Sequence, residues 1–167
     1  MSEQNRRVAS DRRKSLRGAD FPVVAEHFPL PPPNFHNPFL DLVGVEADGI
    51  GPGWARIVLE PRAELSNMHG AVHGGVIMTL LDTTMARAAM AQQGFRLSVV
   101  STGVTTNFLR PAAGRLTVEA RAIGGGRSTC FCEAEVKDGA GQVVAKGLGT
   151  FKYQKPPRDA SAAEAIE

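Results

Sequence analysis

A single carboxylate lies in a long, almost entirely apolar segment. From Val76 to Ala91 nearly every residue is apolar or small, yet Asp82 is in the middle. On a helix the nearest base, Arg87, lies about 140° around from it, so no i,i+4 ion pair forms. The carboxylate could simply meet solvent or a loop N–H. Because an isolated charge among apolar neighbours is costly, we expect it to face a small wet pocket or a subunit interface, where it is a candidate general base.

Two glycines begin the same segment. Gly74 and Gly75 fall at the predicted helix N-terminus, where the first N–H groups lack intrahelical partners and the helix dipole favours negative charge. Glycine also lets a ligand approach the backbone closely. A polarised carbonyl oxygen could therefore bind there, as in an oxyanion hole. The alternative is a glycine turn that only leads into a packed helix.

Two histidines lie four residues apart, a spacing that occurs in zinc sites. His69 and His73 flank Gly70 and precede the paired glycines, which is a poor frame for two ligands on one helix face. Since no third ligand has suitable spacing, we expect no metal site.

The chain has two cysteines, Cys130 and Cys132. On one strand their side chains would point the same way at nearly the maximum span of a disulfide, so a bridge would be strained. Free thiols fit a reducing compartment, and we expect a cytoplasmic protein.

One helix and several strands are predicted to position these residues. Residues 75 to about 92 are rich in Leu, Met and Ala, which favours a helix. Alternating or β-branched segments predict strands. They are "WARIVLE", "LSVVSTGVTTNF", "RLTVEARAI", "TCFCEAEVK" and "QVVAKGLGTF". The short turn segments "RPAAGR", "GGGRS" and "DGAGQ" are predicted to join antiparallel neighbours. The predicted order is strand, strand, helix, then a four-strand meander, so one further strand, with no segment quoted for it, is expected before the helix.

A helix that is apolar nearly all round must be covered on most of its sides. A strongly curved antiparallel sheet does this. The sequence therefore predicts an α+β hotdog fold, in which a sheet of five to six strands wraps around one long central helix.

The chain of 167 residues is predicted to hold one domain. We expect a basic and then proline-rich extension over residues 1–38, partly disordered, a hotdog domain over 39–153, and a flexible tail over 154–167.

Charge and hydropathy argue against two classes of partner. The net charge is +2, but the first twenty residues hold six bases and three acids, so the remainder is close to neutral. A near-neutral body argues against a nucleic-acid-binding domain. No apolar run approaches the roughly 18 residues of a membrane span. We expect neither nucleic acid nor membrane as a partner.

Three segments resemble those of one family. "NMHGAVHGGVIMTLLDTTMARAAM" is similar to the signature of the PaaI-like (phenylacetate-degradation type) hotdog thioesterases, with an Asn, then His-Gly-Gly, and an Asp nine residues after that His. "TTNFLRPAAGRLTVEARAIGGGRS" resembles the family's next strand pair, and "DGAGQVVAKGLGTF" its final hairpin. Together the segments span about residues 40–152 in the family's order.

The resemblance implies an enzyme that hydrolyses a short-chain, medium-chain or aryl acyl-CoA to the free acid and CoA. It implies a homodimer, paired into a homotetramer, with active sites shared across the dimer interface. It implies no cofactor, since coenzyme A is part of the substrate.

The resemblance also implies roles for individual residues. Asp82 would orient or deprotonate the attacking water, and Ser101 would help to hold that water. The Gly74 N–H and Asn67 would lie at the thioester oxygen, and His73 would line the site. Asp82 and Ser101 would come from one subunit, and Asn67 and Gly74 from the other.

Coenzyme A carries phosphates that need positive charge near them. The resemblance suggests Arg110 and Arg127, which fall in predicted turns, and Gly75 at the helix start. The alternative is that each arginine is an ordinary exposed residue.

Two other functions remain open. One is a non-catalytic acyl-CoA-binding hotdog protein, which would keep the pocket without turnover. The other is a hotdog dehydratase or hydratase, where an acid and a histidine act on a 3-hydroxyacyl or enoyl chain. The Asn-x6-Gly spacing that leads to Asp82 argues against the second.

Overall fold

The computed structural model describes residues 37–156. They form helices α1 (Pro38–Val43) and α2 (Gly74–Gln92), a 3-10 turn (Ala63–Leu65), and strands β1 (Val45–Gly51), β2 (Trp54–Leu59), β3 (Ser98–Phe108), β4 (Leu116–Gly125), β5 (Thr129–Lys137) and β6 (Val143–Gln154). The extension predicted over 1–38 and the tail predicted over 154–167 lie almost wholly outside the described residues and stay predictions.

The six strands form one antiparallel sheet in the order β1-β2-β4-β5-β6-β3. Helix α2 packs against every strand of it. The α+β hotdog fold predicted from the sequence is therefore confirmed, with six strands around one long helix.

The predicted four-strand meander is wrong at β3. This strand pairs with β6, whereas β4 pairs with β2 and β5, so only β4, β5 and β6 form a meander. The segment "RPAAGR" thus crosses from the edge of the sheet to its middle instead of closing a hairpin. The burial patterns give the reason. Strand β4 buries Leu116, Val118 and Ala120 and needs a covered central position, whereas most residues of β3 are exposed, as on an edge strand.

The core lies between α2 and the inner face of the sheet. The alternation predicted for β4 and β5 is confirmed. Every second residue is buried throughout β5, and in β4 from Leu116 to Ala120. Strand β2 buries both of its faces except at Arg56. Leu80 and Leu81 of α2 are fully buried against this surface. Each such side chain stabilises the fold by about 1.5–3 kcal/mol, so packing holds α2 in place.

Candidate active site

The structure brings Asp82 and Ser101 together. The Ser101 hydroxyl donates a hydrogen bond to Oδ1 of Asp82 at 2.6 Å. Strand β3 has a bulge between Ser101 and Gly103, and the Thr102 hydroxyl at the bulge donates to the Thr150 carbonyl of β6 at 3.0 Å. Bulges commonly redirect side chains next to functional sites. Here the bulge lies next to the residue that contacts Asp82.

Asp82 is half-buried on a strip of α2 that the sheet leaves uncovered. Met78 is exposed and Thr79 half-buried on the same strip. Helical spacing places Met85, Ala86 and Ala89 on this face too. Ala86 is half-buried, whereas Met85 and Ala89 are fully buried. Strand β6 covers them: a Cβ built on Gly149 would lie 3.0 Å from Cε of Met85, and the Tyr153 hydroxyl donates to the Ala89 carbonyl at 3.3 Å. The open strip thus narrows beyond Asp82, where β6 covers Met85 and Ala89.

At the start of α2 one backbone N–H group has no hydrogen-bond acceptor among the described residues. The Gly75 N–H donates to Nδ1 of His73 at 3.0 Å, and the Val76 and Ile77 N–H groups donate to the His73 carbonyl. The Gly74 N–H forms no hydrogen bond within residues 37–156. The Phe108 ring packs beside it, since a Cβ on Gly74 would lie 3.4 Å from Cζ of Phe108. This free donor at a helix N-terminus suits a partially negative oxygen.

His73 and Gly75 serve the helix itself. His73 is the N-cap of α2, so its Nδ1 is occupied and only Nε2 remains for a ligand. The N–H of Gly75 is occupied by the same bond, which leaves it no backbone donor for coenzyme A. The roles that the resemblance gave these two residues stay predictions, and the structure assigns both of them to capping.

Asn67 is held by its own loop. Its Oδ1 accepts hydrogen bonds from the His69 N–H at 2.8 Å and the Ala71 N–H at 3.2 Å. Its backbone N–H donates to the Ala71 carbonyl at 2.7 Å. The Nδ2 amide group has no acceptor in the described chain. Because Oδ1 is fixed, two hydrogen-bond donors remain on Nδ2 for a ligand.

Asn67 and Gly74 line one cavity of about 540 Å³. Phe108, Arg110 and His69 also line it, whereas His73, Asp82 and Ser101 do not. Its size is in the usual range for small-molecule sites. The sequence gave His69 no role, and the only signal that could have found it is its place two residues after Asn67. The structure therefore joins Asn67 with Gly74, and Asp82 with Ser101, as two separate pairs.

The two predicted phosphate-binding arginines lie apart in one chain. Arg110 lines the cavity, and its Nη1 donates to the Val143 carbonyl at 2.7 Å. Arg127 is exposed in the turn between β4 and β5. The glycines of that turn lie beside Gln92, at the opposite end of α2 from Gly74. A single chain does not bring Arg127 to the cavity.

Comparisons with known proteins place this chain in a family. The thioesterase superfamily model matches residues 69–145. A putative esterase of Saccharolobus solfataricus is 30% identical over 116 residues, which are 66% of this chain and 74% of that protein. The acyl-coenzyme A thioesterase PaaI of Escherichia coli is 30% identical over 105 residues, or 62% of this chain and 73% of that protein. The chain belongs to the thioesterase superfamily, as a PaaI-like hotdog thioesterase.

Solved structures support the assignment of this thioesterase to the family. A conserved protein of Pseudomonas aeruginosa has 34% sequence identity and a TM-score of 0.69, covering 72% of this chain and 97% of that one. The E. coli PaaI protein has 28% identity and a TM-score of 0.66, covering 71% of this chain and 85% of that one. The predicted family and enzyme class, a thioester hydrolase, are confirmed.

Within one chain of the thioesterase, the two residue pairs lie too far apart to act on the same thioester bond. Gly74 and Asp82 are eight residues apart on α2, which is about 12 Å at 1.5 Å per residue. A thioester carbon attacked by water at Asp82 could not have its oxygen at the Gly74 N–H of the same chain.

Two further observations concern the described residues. Between residues 37 and 156 no helix is long and apolar enough to cross a membrane. Over the same residues, His, Cys, Asp and Glu side chains form no group of three or more that could hold a metal ion.

Proposed function

We propose that this thioesterase hydrolyses acyl-CoA to a free acid and CoA, in sites that two copies of the chain complete. The observation that carries the proposal is the Asp82–Ser101 pair on the open strip of α2. The name of the E. coli relative, an acyl-coenzyme A thioesterase, supports the substrate class.

Asp82 is the proposed general base. Its Oδ1 accepts the Ser101 hydroxyl, which fixes the carboxylate, and Oδ2 forms no hydrogen bond in the described part of the chain. Oδ2 can therefore accept a proton from a water molecule, and a lone pair of the Ser101 oxygen can help to position that water. A positioned general base accounts for about 10²–10⁴ in rate.

The Gly74 N–H and Nδ2 of Asn67 are the proposed donors to the thioester oxygen. Water attacks the carbonyl carbon, negative charge develops on the oxygen, and the two donors stabilise it. The C–S bond then breaks, the thiolate of CoA leaves, and the proton that Asp82 accepted passes to the thiolate sulfur, which restores the carboxylate. These steps require no cofactor, since coenzyme A enters as part of the substrate.

Strand β3 offers a way to bring the two pairs together. It pairs with β6 on one side only, and no strand among residues 37–156 lies along its other edge. Unpaired edges are the usual place where a second chain adds to a sheet. Ser101 lies on β3, so a second copy that pairs with this edge approaches Asp82. We therefore propose a homodimer in which each site takes Asp82 and Ser101 from one copy and Asn67 and Gly74 from the other.

Other features of the proposal rest on the resemblance. Arg110 is well placed for a CoA phosphate because it lines the cavity, and Arg127 would have to come from a different copy. The pairing of dimers into a homotetramer, the contact of Gly75 with CoA and the cytoplasmic location also stay predictions.

A thiol-release assay tests the proposed function. Short-chain, medium-chain and aryl acyl-CoAs are incubated with the protein while a thiol reagent reports free CoA. We expect steady release of CoA with one equivalent of free acid for at least one of these classes. Tight binding in calorimetry without thiol release would instead show an acyl-CoA-binding protein. Consumption of crotonyl-CoA without thiol release would show a hydratase.

A further inference from the structure

An exposed methionine lies halfway between the two residue pairs of the candidate site. Gly74, Met78 and Asp82 are spaced four residues apart on α2, so they follow one side of the helix. Met78 is 43% exposed, whereas the large apolar residues near it, Ile77 and Leu80, are at most 2% exposed. The described chain only partly covers this side chain, and thioester hydrolysis as described above gives it no role.

The shared site determines how two copies of α2 face each other. In the proposed function, on which this inference rests, Gly74 of one copy serves the same thioester as Asp82 of the other. A two-fold dimer repeats that contact, so Asp82 of the first copy lies opposite Gly74 of the second. The two helices are then antiparallel, and the residue midway between Gly74 and Asp82 faces its own counterpart. That residue is Met78.

Strand β3 has a matching midpoint. The Phe108 ring packs beside the start of α2, and the Ser101 hydroxyl binds Asp82 further along the helix. The same symmetry therefore sets Phe108 of one copy near Ser101 of the other. Midway between them lie Val104 and Thr105, close to the middle of β3. Two such strands can pair antiparallel from Ser101 to Phe108, along edges that no strand among residues 37–156 occupies.

We propose that the two-fold axis of the dimer passes between the two copies of Met78 and between the two copies of Val104 and Thr105. The two methionines then pack against each other between the active sites. Met78 lies four residues, or about 6 Å along the helix, from both Gly74 and Asp82, so the methionine pair separates one site from the other. The flexible apolar side chain of methionine suits such a contact.

The helix surface around Met78 lets a second helix approach. Gly75 has no side chain, and the Thr79 hydroxyl is turned back onto α2, where it donates to the Gly75 carbonyl at 3.0 Å. Packed helix axes lie about 8–10 Å apart and Cα atoms about 2.3 Å from each axis, so facing Cα atoms can be about 3.4–5.4 Å apart. Disulfides span Cα distances of about 4.4–6.8 Å. The Met78→Cys variant can therefore form a disulfide between its two copies.

Oxidation of the full-length Met78→Cys variant with copper phenanthroline tests the proposal. We expect most of the protein to become a covalent dimer on a non-reducing denaturing gel, and dithiothreitol to separate the chains again. Within a two-fold dimer, a single substitution links the chains directly only if it lies next to the axis. Wild-type protein should stay unlinked, since Cys130 and Cys132 are both buried.

Met68→Cys is the matched control. Met68 is 92% exposed, so a thiol there collides with other molecules more readily than one in place of Met78. It follows Asn67, at one site and away from the axis. We expect at least ten-fold less linked dimer from Met68→Cys than from Met78→Cys at the same protein concentration. A short bismaleimide repeats the comparison without the strict geometry of a disulfide.

A second variant reads the strand side of the axis. Thr105 is exposed, and Thr105→Cys should link to its counterpart through the bismaleimide even if Met78→Cys fails to fold. Thermal unfolding identifies the variants that keep the fold, and sedimentation shows whether they are dimers.

The axis and the proposed reaction can fail separately, because linking needs no turnover. The proposal is overturned if the folded protein sediments only as a monomer. It is also overturned if, in a dimer, neither Met78→Cys nor Thr105→Cys gives more linked protein than Met68→Cys. Linking at Met78 without thiol release from any acyl-CoA would support the axis and contradict the proposed function.

Discussion

Replacing Asp82 by asparagine is expected to lower kcat for thioester hydrolysis by about 10²–10⁴, with the fold unchanged. The amide has the same shape, and its oxygen still accepts the hydrogen bond that the Ser101 hydroxyl now donates at 2.6 Å. It cannot accept a proton from water, however, so only the chemical step is impaired. Steady-state thiol release measures the effect, and thermal unfolding checks the fold.

Asp48→Asn is the matched control for this variant. Asp48 pairs with Arg56 on the surface at 2.5 Å and lies outside both residue pairs of the candidate site. Because Asp48 lies outside the candidate site, the same chemical change there should leave kcat within about two-fold. Loss of a surface ion pair costs at most about 1 kcal/mol of stability, so the fold should also persist. If Asp82→Asn retained as much activity as Asp48→Asn, Asp82 would not be the general base.

The second large effect is expected at Asn67. Asn67→Asp should lower kcat/KM by about 10²–10³, the loss typical of one oxyanion-hole donor. The aspartate still accepts the hydrogen bonds from the His69 and Ala71 N–H groups, so the loop keeps its conformation. Its second oxygen places a negative charge where Nδ2 now offers two donors. That charge repels the oxyanion as it develops.

A comparison of two substitutions separates this role from a structural one. Asn67→Ala removes both the loop acceptor and the donors, whereas Asn67→Asp removes the donors alone. If Asn67 only shaped the loop, Asn67→Asp would be fully active and Asn67→Ala impaired. We expect instead that Asn67→Asp is at least as impaired as Asn67→Ala, with nearly wild-type thermal stability. Kinetics on the best acyl-CoA substrate and thermal unfolding of both variants provide the measurement.

Local patterns in the sequence predicted the elements but not the pairing of the edge strand. Helix α2 and the alternation in β4 and β5 followed from residue periodicity, because burial repeats every 3.6 residues in a helix and every two in a strand. The position of β3 beside β6 depends on contacts about 45 residues apart in sequence, such as Val104 with Gly149, which no local pattern encodes. Sequential strands are neighbours more often than not, and that default was wrong here.

In the candidate site, too, local patterns in the sequence identified some residues but not the contacts that depend on strand pairing. An unpaired carboxylate in an apolar helix identified Asp82 directly. Ser101 was reached only through the resemblance, since its contact with Asp82 depends on the pairing of β3 with β6 and on the bulge between Ser101 and Gly103. The capping role of His73 was missed because a histidine N-cap has no strong sequence signal, whereas Ser, Thr, Asp and Asn do.

The division of each site between two copies is tested most directly by mixing two inactive variants. Asp82→Asn and Asn67→Asp chains are unfolded and refolded together in equal amounts, and thiol release is compared with that of each variant refolded alone. In a mixed dimer, one site receives both substitutions and the other receives neither. Because half of the dimers are mixed, the account predicts recovery of about a quarter of wild-type activity. Activity no greater than the average of the two variants alone, in a sample where mixed dimers are shown to form, would contradict it.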